Sequence, residues 1–393
     1  MKVFVITGGH FENKGAQAML LAVVEELRFR YPNSEIWAFT HLPIKQKGLV
    51  FNHLPWDGRV KLRLFLGKFK WLIHSSSNKE SEEKIINILS NADMVFDVSG
   101  FELSSQCGYY VSFIYLMRIA VMKKFKCKII LLPQSFGPFS YKNIFFKSIL
   151  LTLMKWYLRY PKKIFAREEQ GYNDIKKYTV NNLNKSVDIV LQSKDLPRKM
   201  FFQTDVDYMK NINIVKNSVA IIPNIRILKW NNKNNIYYIY KNLIELLVKE
   251  NYNVFILRHS YEDLEVCFNL YKEFESSPQV KFLDKDYNCI DLYEIISKME
   301  FVIASRYHSL IHAYKSDVPA IVIGWAEKYT EVMKNFEQSQ YYFDIRLEID
   351  IDKIIAVLNK MINTSQIESK LIHKNRSKLL NENNIFEKVL GNL

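Results

Sequence analysis

Glycine and proline are scarce in this chain, at 12 and 10 residues, too few for a collagen-like, repeat-built or disordered polypeptide. Cysteine is scarcer still. Cys107, Cys127, Cys267 and Cys289 stand far apart with no CxxC spacing, which argues against a disulfide framework or a zinc ribbon and suits reduced thiols in a cytosolic protein. No stretch reaches the roughly 18 uninterrupted apolar residues of a membrane-spanning helix; the best candidate, Ser148 to Leu158, is broken by Lys155. The opening MKVFVITGG lacks the long apolar core of a secretory signal, so a cytoplasmic location is expected. No internal repeat stands out.

What is present is a 393-residue chain, 48% hydrophobic, with apolar material for two cores of about 150–200 residues each. Lys and Arg outnumber Asp and Glu by 55 to 41, a net charge of +14, which attracts polyanions, anionic headgroups or phosphorylated substrates. The excess is unevenly spread. Arg59 to Trp71 carries Arg59, Lys61, Arg63, Lys68 and Lys70 without one acid; Tyr141 to Lys163 carries Lys142, Lys147, Lys155, Arg159, Lys162 and Lys163, again without one. Both segments interleave these bases with Leu, Phe and Trp, as a membrane-surface helix requires. A peripheral contact with an anionic membrane is therefore expected, although solvated lysine faces give the same pattern. No nucleic-acid motif accompanies the charge, so nucleic acid is not an expected partner.

The hydrophobic pattern predicts strands alternating with helices. KVFVIT runs into the loop GGHFENKG, a periodic helix follows over Ala16 to Phe29, and a second strand covers Glu35 to Thr40. Residues 94–100 and 128–139 repeat the strand-to-loop theme, and residues 164–178 read as a strand end and a helix. Beyond a looser stretch at 195–215 the alternation resumes: a strand in 218–226, a helix over Tyr237 to Glu250, the strand NVFILRH, and a helix over Tyr261 to Glu275. VKFLD, a helix over Leu292 to Met299, FVIAS, a further helix and AIVIG complete the order. Short buried strands alternating with helices imply parallel sheets covered on both faces. The expected fold is two doubly wound, Rossmann-like α/β domains facing across a cleft, a glycosyltransferase-B-like arrangement. The expected domains are 1–210 and 211–393, the second ending in a terminal helix that, by analogy, crosses back to the first.

Residues 301–336 hold the densest chemistry. Ser305 ends a buried strand and is expected to cap the next helix, placing Arg306 and His308 in the first turn beside backbone N–H groups that favour an anion. A two-pronged guanidinium with an imidazole suits a small phosphate or carboxylate. The strand after Asp317–Val318–Pro319 brings Trp325, Glu327 and Lys328 to the same edge. His308 and His312 lie one turn apart, but Ser309–Leu310–Ile311 contains no glutamate to activate water and no third ligand is evident. The zinc reading is rejected, His312 is expected to be a buried structural residue, and no metal is expected.

Together these residues resemble the polysaccharide pyruvyl transferase family. The run Ser305 to His308 with Pro319 and Lys328 looks like its signature. Asn13-Lys-Gly15 looks like its Asn-x-Gly motif, and Gln134-Ser-Phe-Gly-Pro138 and Ala166-Arg167-Glu168 match its middle section in position and order. The resemblance covers roughly residues 1 to 345. It departs at Val98-Ser99-Gly100-Phe101-Glu102, where many members have a glycine run. It implies a transferase that moves pyruvate from phosphoenolpyruvate to a sugar of a surface polysaccharide or its precursor, with no cofactor beyond this co-substrate. The sugar would be nucleotide-, lipid- or polymer-linked. The first domain then takes the acceptor and the second the phosphoenolpyruvate.

On that reading Arg306 and His308 bind phosphoenolpyruvate, with His308 the leading proton donor. Arg226, Arg258–His259, Lys328 and Arg167 are the further donor-site candidates, each against the alternative of an edge salt bridge or a surface role. Asn13, His10, Glu102 and Gln134 are the acceptor-side candidates. Two other functions fit the architecture: a nucleotide-sugar glycosyltransferase, with Glu327 or Glu331 as the ribose-binding carboxylate, and a non-catalytic glycan- or lipid-binding component.

Overall fold

A computed structural model describes residues 1–46, 48–74, 79–194, 201–202, 212–230, 235–382 and 384–391. Two compact units emerge: Met1–Phe11, Ala16–Asp205 and Ile385–Leu393 form the first, Glu12–Gly15 and Val206–Asn384 the second. The expected boundary near residue 210 lies outside the described residues.

The first unit is built on β1 (Val3–Thr7), α1 (Lys14–Arg30), β2 (Glu35–Thr40), β3 (Asn52–Pro55), α2 (Gly58–Leu66), α3 (Lys79–Asn91) and β4 (Met94–Asp97). It continues with α4 (Tyr109–Lys124), β5 (Ile129–Gln134), α5 (Ile144–Tyr157), β6 (Lys163–Ala166), α6 (Glu169–Lys176), β7 (Leu183–Lys185) and α7 (Ile189–Gln192). Its seven strands run parallel in the order β3-β2-β1-β4-β5-β6-β7. Phe4, Val5 and Ile6 of β1 are fully buried, which is why the strand reads as an unbroken apolar run rather than an alternating one. The sheet reverses its order between β1 and β4, the position where doubly wound folds bind ligands.

The second unit holds β8 (Ser218–Ile222), α8 (Ile236–Lys249), β9 (Asn253–Leu257), α9 (Leu264–Lys272), β10 (Val280–Leu283), α10 (Cys289–Ile296), β11 (Phe301–Ala304), α11 (Tyr307–Lys315), β12 (Ala320–Gly324), α12 (Glu327–Asn335), β13 (Tyr342–Asp344) and α13 (Ile351–Glu382). Its six parallel strands lie in the order β10-β9-β8-β11-β12-β13, reversing between β8 and β11. The two doubly wound parallel sheets are those the strand pattern calls for. Three short edge strands, β3, β7 and β13, escape the sequence reading, because NHLP, LNK and YFD carry no apolar run. The helix expected over Tyr261 to Glu275 is a 3₁₀ turn, Tyr261–Asp263, followed by α9.

The chain ends in α14 (Ile385–Leu390), whose Ile385, Phe386, Val389 and Leu390 are buried in the first unit. Ion pairing of Arg30 with Glu387, and Lys163 Nζ donating to the Lys388 carbonyl at 3.0 Å, fix it there. Phe386→Ala should therefore destabilise the first unit by about 3–5 kcal/mol, the usual cost of truncating a buried aromatic. Urea denaturation followed by hydrogen exchange would place the loss in the β1-containing sheet; a loss confined to the second unit would contradict this packing.

Candidate active site

Parallel strands deliver their following loops to one edge, so the carboxyl ends of β8, β9, β11 and β12 share a crevice in the second unit. Asn224 ties the two strands flanking the reversal: its Nδ2 donates to the Ser305 carbonyl at 3.0 Å, and its Oδ1 accepts from the Arg226 N–H at 3.0 Å. Ser305 does not cap α11 as expected. Its hydroxyl pairs with the Tyr240 hydroxyl, its carbonyl accepts from Tyr329 at 3.0 Å, and Arg306 takes the N-cap position without a side-chain cap bond.

Arg306 is buried and already gripped. Its Nε donates to Asp263 Oδ2 at 2.8 Å, and its Nη2 bonds both Asp263 and Glu262. The two-pronged fork expected to clasp a ligand is thus turned on a fully buried carboxylate, and the charge stays in the crevice as a fixed one. Burial opposes that charge, but Asp263 and Glu262 outweigh it and hold the guanidinium protonated. Burial pushes Asp263 above the ordinary aspartate value, and Arg306 only partly offsets it. Arg226 is exposed and reaches the same Glu262, Nε to Oε1 at 3.0 Å. Burial alone would raise Glu262; Arg306 and then Arg226 bring it below the usual carboxylate range.

Arg258 and His259 follow β9. Arg258 is buried, 3.8 Å from exposed Asp286. Burial drives His259 far below the ordinary histidine value, with the His312 and Arg306 charges pushing the same way, so the imidazole is neutral. Its Nε2 is buried without a hydrogen-bond partner. His312, expected as structural, is buried with its ring 6.1 Å from that of His259.

His308 sits half-buried in the first turn of α11, its ring edge-on to Tyr307 at 5.2 Å. Residues Glu12–Gly15 belong to this unit and supply its neighbour. A Cβ on Gly15 would lie 2.0 Å from His308 Nδ1, so only glycine lets the imidazole lie there. Asn13 Oδ1 accepts from the Gly15 N–H at 2.9 Å, Asn13 bridges to Ser260, and Lys14 Nζ pairs with Asp286 at 2.9 Å. Asn13, expected among acceptor contacts, thus sets the turn that carries Gly15 and Lys14 beside the histidine. Lys328 lies over the Tyr307 ring at 4.9 Å, completing the cationic rim.

The first unit has its own crevice at the β1–β4 reversal. Gly8, with φ +83°, turns the chain where a Cβ would meet Ser99 Oγ at 2.4 Å. Asp97, fully buried at the end of β4, accepts from Thr7 Oγ1 at 2.8 Å and from Arg118. Arg118 also donates to Glu102 Oε2 at 2.8 Å. His10, Glu102 and Arg118 line a cavity of about 350 Å³ there. His10 and Glu102, the expected acceptor-side candidates, thus line one cavity of the first unit.

Gln134 and Arg167 do not. Gln134 is fully buried, with Oε1 accepting from Tyr115 at 2.8 Å and Nε2 donating to the Leu132 carbonyl at 3.2 Å; it braces the sheet edge and offers nothing to a sugar. Arg167 is buried, with Nη1 on Asp188 at 2.6 Å, Nε on Glu168 at 3.3 Å and Nη2 on Ser135 and the Gly100 carbonyl. Its expected reach toward a donor gives way to ion pairs with Glu168 and Asp188. Sequence reasoning also missed Lys14, Asp97, Arg118 and Asp263. Arg118 could have been found, as a lone arginine inside the otherwise apolar FIYLMRIAVM.

Asp263→Ala should cost about 3–5 kcal/mol, because it strands the buried Arg306 charge. Glu262→Ala, at the exposed end of the same fork, should cost about 1 kcal/mol or less. Chemical denaturation of both variants checks the contrast; equal losses would refute the buried anchor.

Residues 13–327 match the polysaccharide pyruvyl transferase family. No curated protein matches the chain. Among solved structures it is similar to UDP-GlcNAc 2-epimerase from Methanocaldococcus jannaschii, at 11% identity and a TM-score of 0.56 over 91% of this chain and 92% of that one. The Neisseria meningitidis UDP-GlcNAc 2-epimerase bound to UDP-GlcNAc gives 12%, 0.56 and full coverage of both chains. The trehalose-6-phosphate synthase OtsA gives 10%, 0.53, 98% and 96%. At these identities the likeness concerns the fold, which is glycosyltransferase-B-like. With the family's span covering most of the sequence and both sheet-edge crevices, this chain belongs to the polysaccharide pyruvyl transferase family.

Proposed function

We propose that the chain transfers pyruvate from phosphoenolpyruvate onto two hydroxyls of one sugar in a surface polysaccharide or its precursor, releasing phosphate. The observation that carries this reading is the crevice of the second unit, where Lys14, Arg226, Arg258 and Arg306 outnumber the three carboxylates that bond them. An excess of fixed cations suits a donor bearing both a phosphate and a carboxylate. Protonation of the donor's methylene carbon makes C2 electrophilic. One sugar hydroxyl adds to C2, and a second displaces phosphate, leaving a cyclic ketal.

His308 is the proposed proton donor, because Gly15 lets its ring lie among these cations. Arg258, Lys14 and Lys328 are the proposed anion contacts, while Arg306 contributes a pinned charge and positions the start of α11. His308→Ala should lower turnover by about 10²–10⁴, the usual worth of a general acid, without a matching loss of melting temperature. Gly15→Ala should lower turnover too, by displacing the imidazole. Phosphate release from phosphoenolpyruvate, with mass spectrometry of candidate glycans for a gain of one pyruvate minus water, tests the whole reading. Nucleotide release instead would mark a glycosyltransferase, and no release of either would mark a binding component.

A peripheral membrane contact is part of the proposal, supported by α5. Ile144, Phe145 and Trp156 are 84%, 66% and 62% exposed, beside exposed Lys142, Lys155 and Arg159. Tyr109 of α4 stacks on Phe146 at 4.8 Å and extends this face. The segment Arg59 to Trp71 contributes less charge than its sequence promised: Lys61 is buried and Arg63 is taken up by Glu82. Each base near anionic headgroups is worth about 1 kcal/mol. Binding to anionic vesicles should fall with salt and with Lys142→Glu/Lys155→Glu/Arg159→Glu, and be weak on neutral vesicles. Equal binding to both vesicle types would refute electrostatic docking.

A further inference from the structure

The 350 Å³ cavity of the first unit falls in the size range of small-molecule sites, about 300–1,000 Å³, at its lower end, which fits one sugar ring. Its lining has the chemistry of a sugar site. Phe39 and Tyr110 contribute aromatic rings to it, and His10, Glu102, Arg118 and Lys61 are its polar lining residues. Arg118 Nε is buried with no hydrogen-bond partner.

Lys61 is the anomaly. Its side chain comes from α2, it is 4% exposed, and its Nζ donates to the Trp56 carbonyl at 2.7 Å. The nearby carboxylates are engaged elsewhere, Asp97 and Glu102 on Arg118 and Asp57 on the Val60 N–H at the start of α2. A buried ammonium without a carboxylate is costly, so the site favours a neutral amine that donates one N–H and keeps its lone pair.

We propose that this cavity holds the acceptor sugar and that the Lys61 amine takes the proton from its attacking hydroxyl. The assignment of the sugar as acceptor rests on the pyruvyl-transfer reading above. In that step the hydroxyl oxygen bonds C2 of the protonated donor while its proton passes to Nζ, giving an ammonium. The second hydroxyl then bonds C2 as the bond from C2 to the phosphate oxygen breaks, and the departing phosphate carries off the second proton. The ammonium returns its proton to solvent. Burial brings the Lys61 amine down to about 7, with Arg118 pushing the same way; Glu102, Asp57 and Asp97 oppose this without restoring the ordinary value. Arg118 cannot serve as the base, since a paired guanidinium does not lose its proton. His10 and His41, which also line the cavity with rings 4.7 Å apart, are the competing bases.

The first experiment needs no donor. The protein is labelled with [ε-¹³C]lysine, and the Lys61 resonance is assigned by its loss in Lys61→Arg. That resonance should titrate near pH 7 and shift when the methyl glycosides of glucose, galactose or mannose are added at saturating concentration. Tyr110→Ala, a change at the exposed rim, should abolish the shift. A midpoint in the ordinary lysine range, no response to any of the glycosides, or a response to phosphoenolpyruvate instead would overturn the site.

The second experiment uses the acceptor found by the mass-spectrometric assay. Lys61→Met should lower kcat by about 10²–10⁴ with the dissociation constant of phosphoenolpyruvate unchanged, and should remove a limb in which the rate rises with pH through about 7. Lys61→Arg keeps the charge and should be equally slow. If His10→Gln or His41→Gln removes that limb while Lys61→Met does not, the base is a histidine and the Lys61 assignment fails. Failure of the donor chemistry would show as absent phosphate release in the unaltered protein, with the glycoside response intact.

Discussion

A parallel sheet points every strand the same way, and that constraint organises the chemistry of this protein. Because all the carboxyl ends of a sheet lie along one edge, the loops after β8, β9, β11 and β12 have to meet, as do those after β1, β2 and β4. Where the winding reverses, neighbouring loops diverge and leave room for a ligand. Arg226, Arg258, His259 and Arg306 come from strands far apart in sequence and are gathered by this rule alone. The same rule collects His10, Asp97 and Glu102 in the first unit.

Gathering cations at a buried edge creates a problem of its own, since each must be desolvated. The protein meets it by assigning carboxylates: Asp263 and Glu262 to Arg306, Asp97 and Glu102 to Arg118, Asp188 and Glu168 to Arg167. Each guanidinium becomes a fixed charge of known direction, well suited to holding a field and ill suited to exchanging protons. Lys61 and His259 are instead pushed toward neutrality by burial. Static charge and proton transfer are thereby separated onto different residues, by burial with a counter-charge in one case and without it in the other.

How much of this was legible in the sequence follows from range. Strand and helix order is encoded within a few residues, so β1, β2, β8, β9 and β11 fall inside the predicted segments, while helix ends shift by one to three residues. The edge strands β3, β7 and β13 carry no such local signal, since they form by pairing along an existing sheet. At the sites, the position of Arg306 after a strand was readable; its partner was not, because Asp263 lies 43 residues away. Arg167 was misread for a related reason. Adjacency to Glu168 makes a weak pairing argument, and the stronger partner, Asp188, comes from the far side of β7. Lys61 was hidden among Arg59 and Arg63, residues of the same charge whose side chains end in quite different places.

Glycine gives the last step, because it shows how a short segment of the second unit, Glu12–Gly15, is fitted to the chemistry of that unit. Gly8 turns the chain at the edge of the first sheet, and seven residues later Gly15 leaves space for the His308 ring. Between them Asn13 fixes the local turn through the Gly15 N–H, and Lys14 adds its charge. A motif of three residues thus combines a side-chain bond to the backbone, a cation and an absent side chain. The short spacing in Asn13-Lys14-Gly15 is what a single helix start imposes: the asparagine must precede the first turn, and the glycine must fall within it.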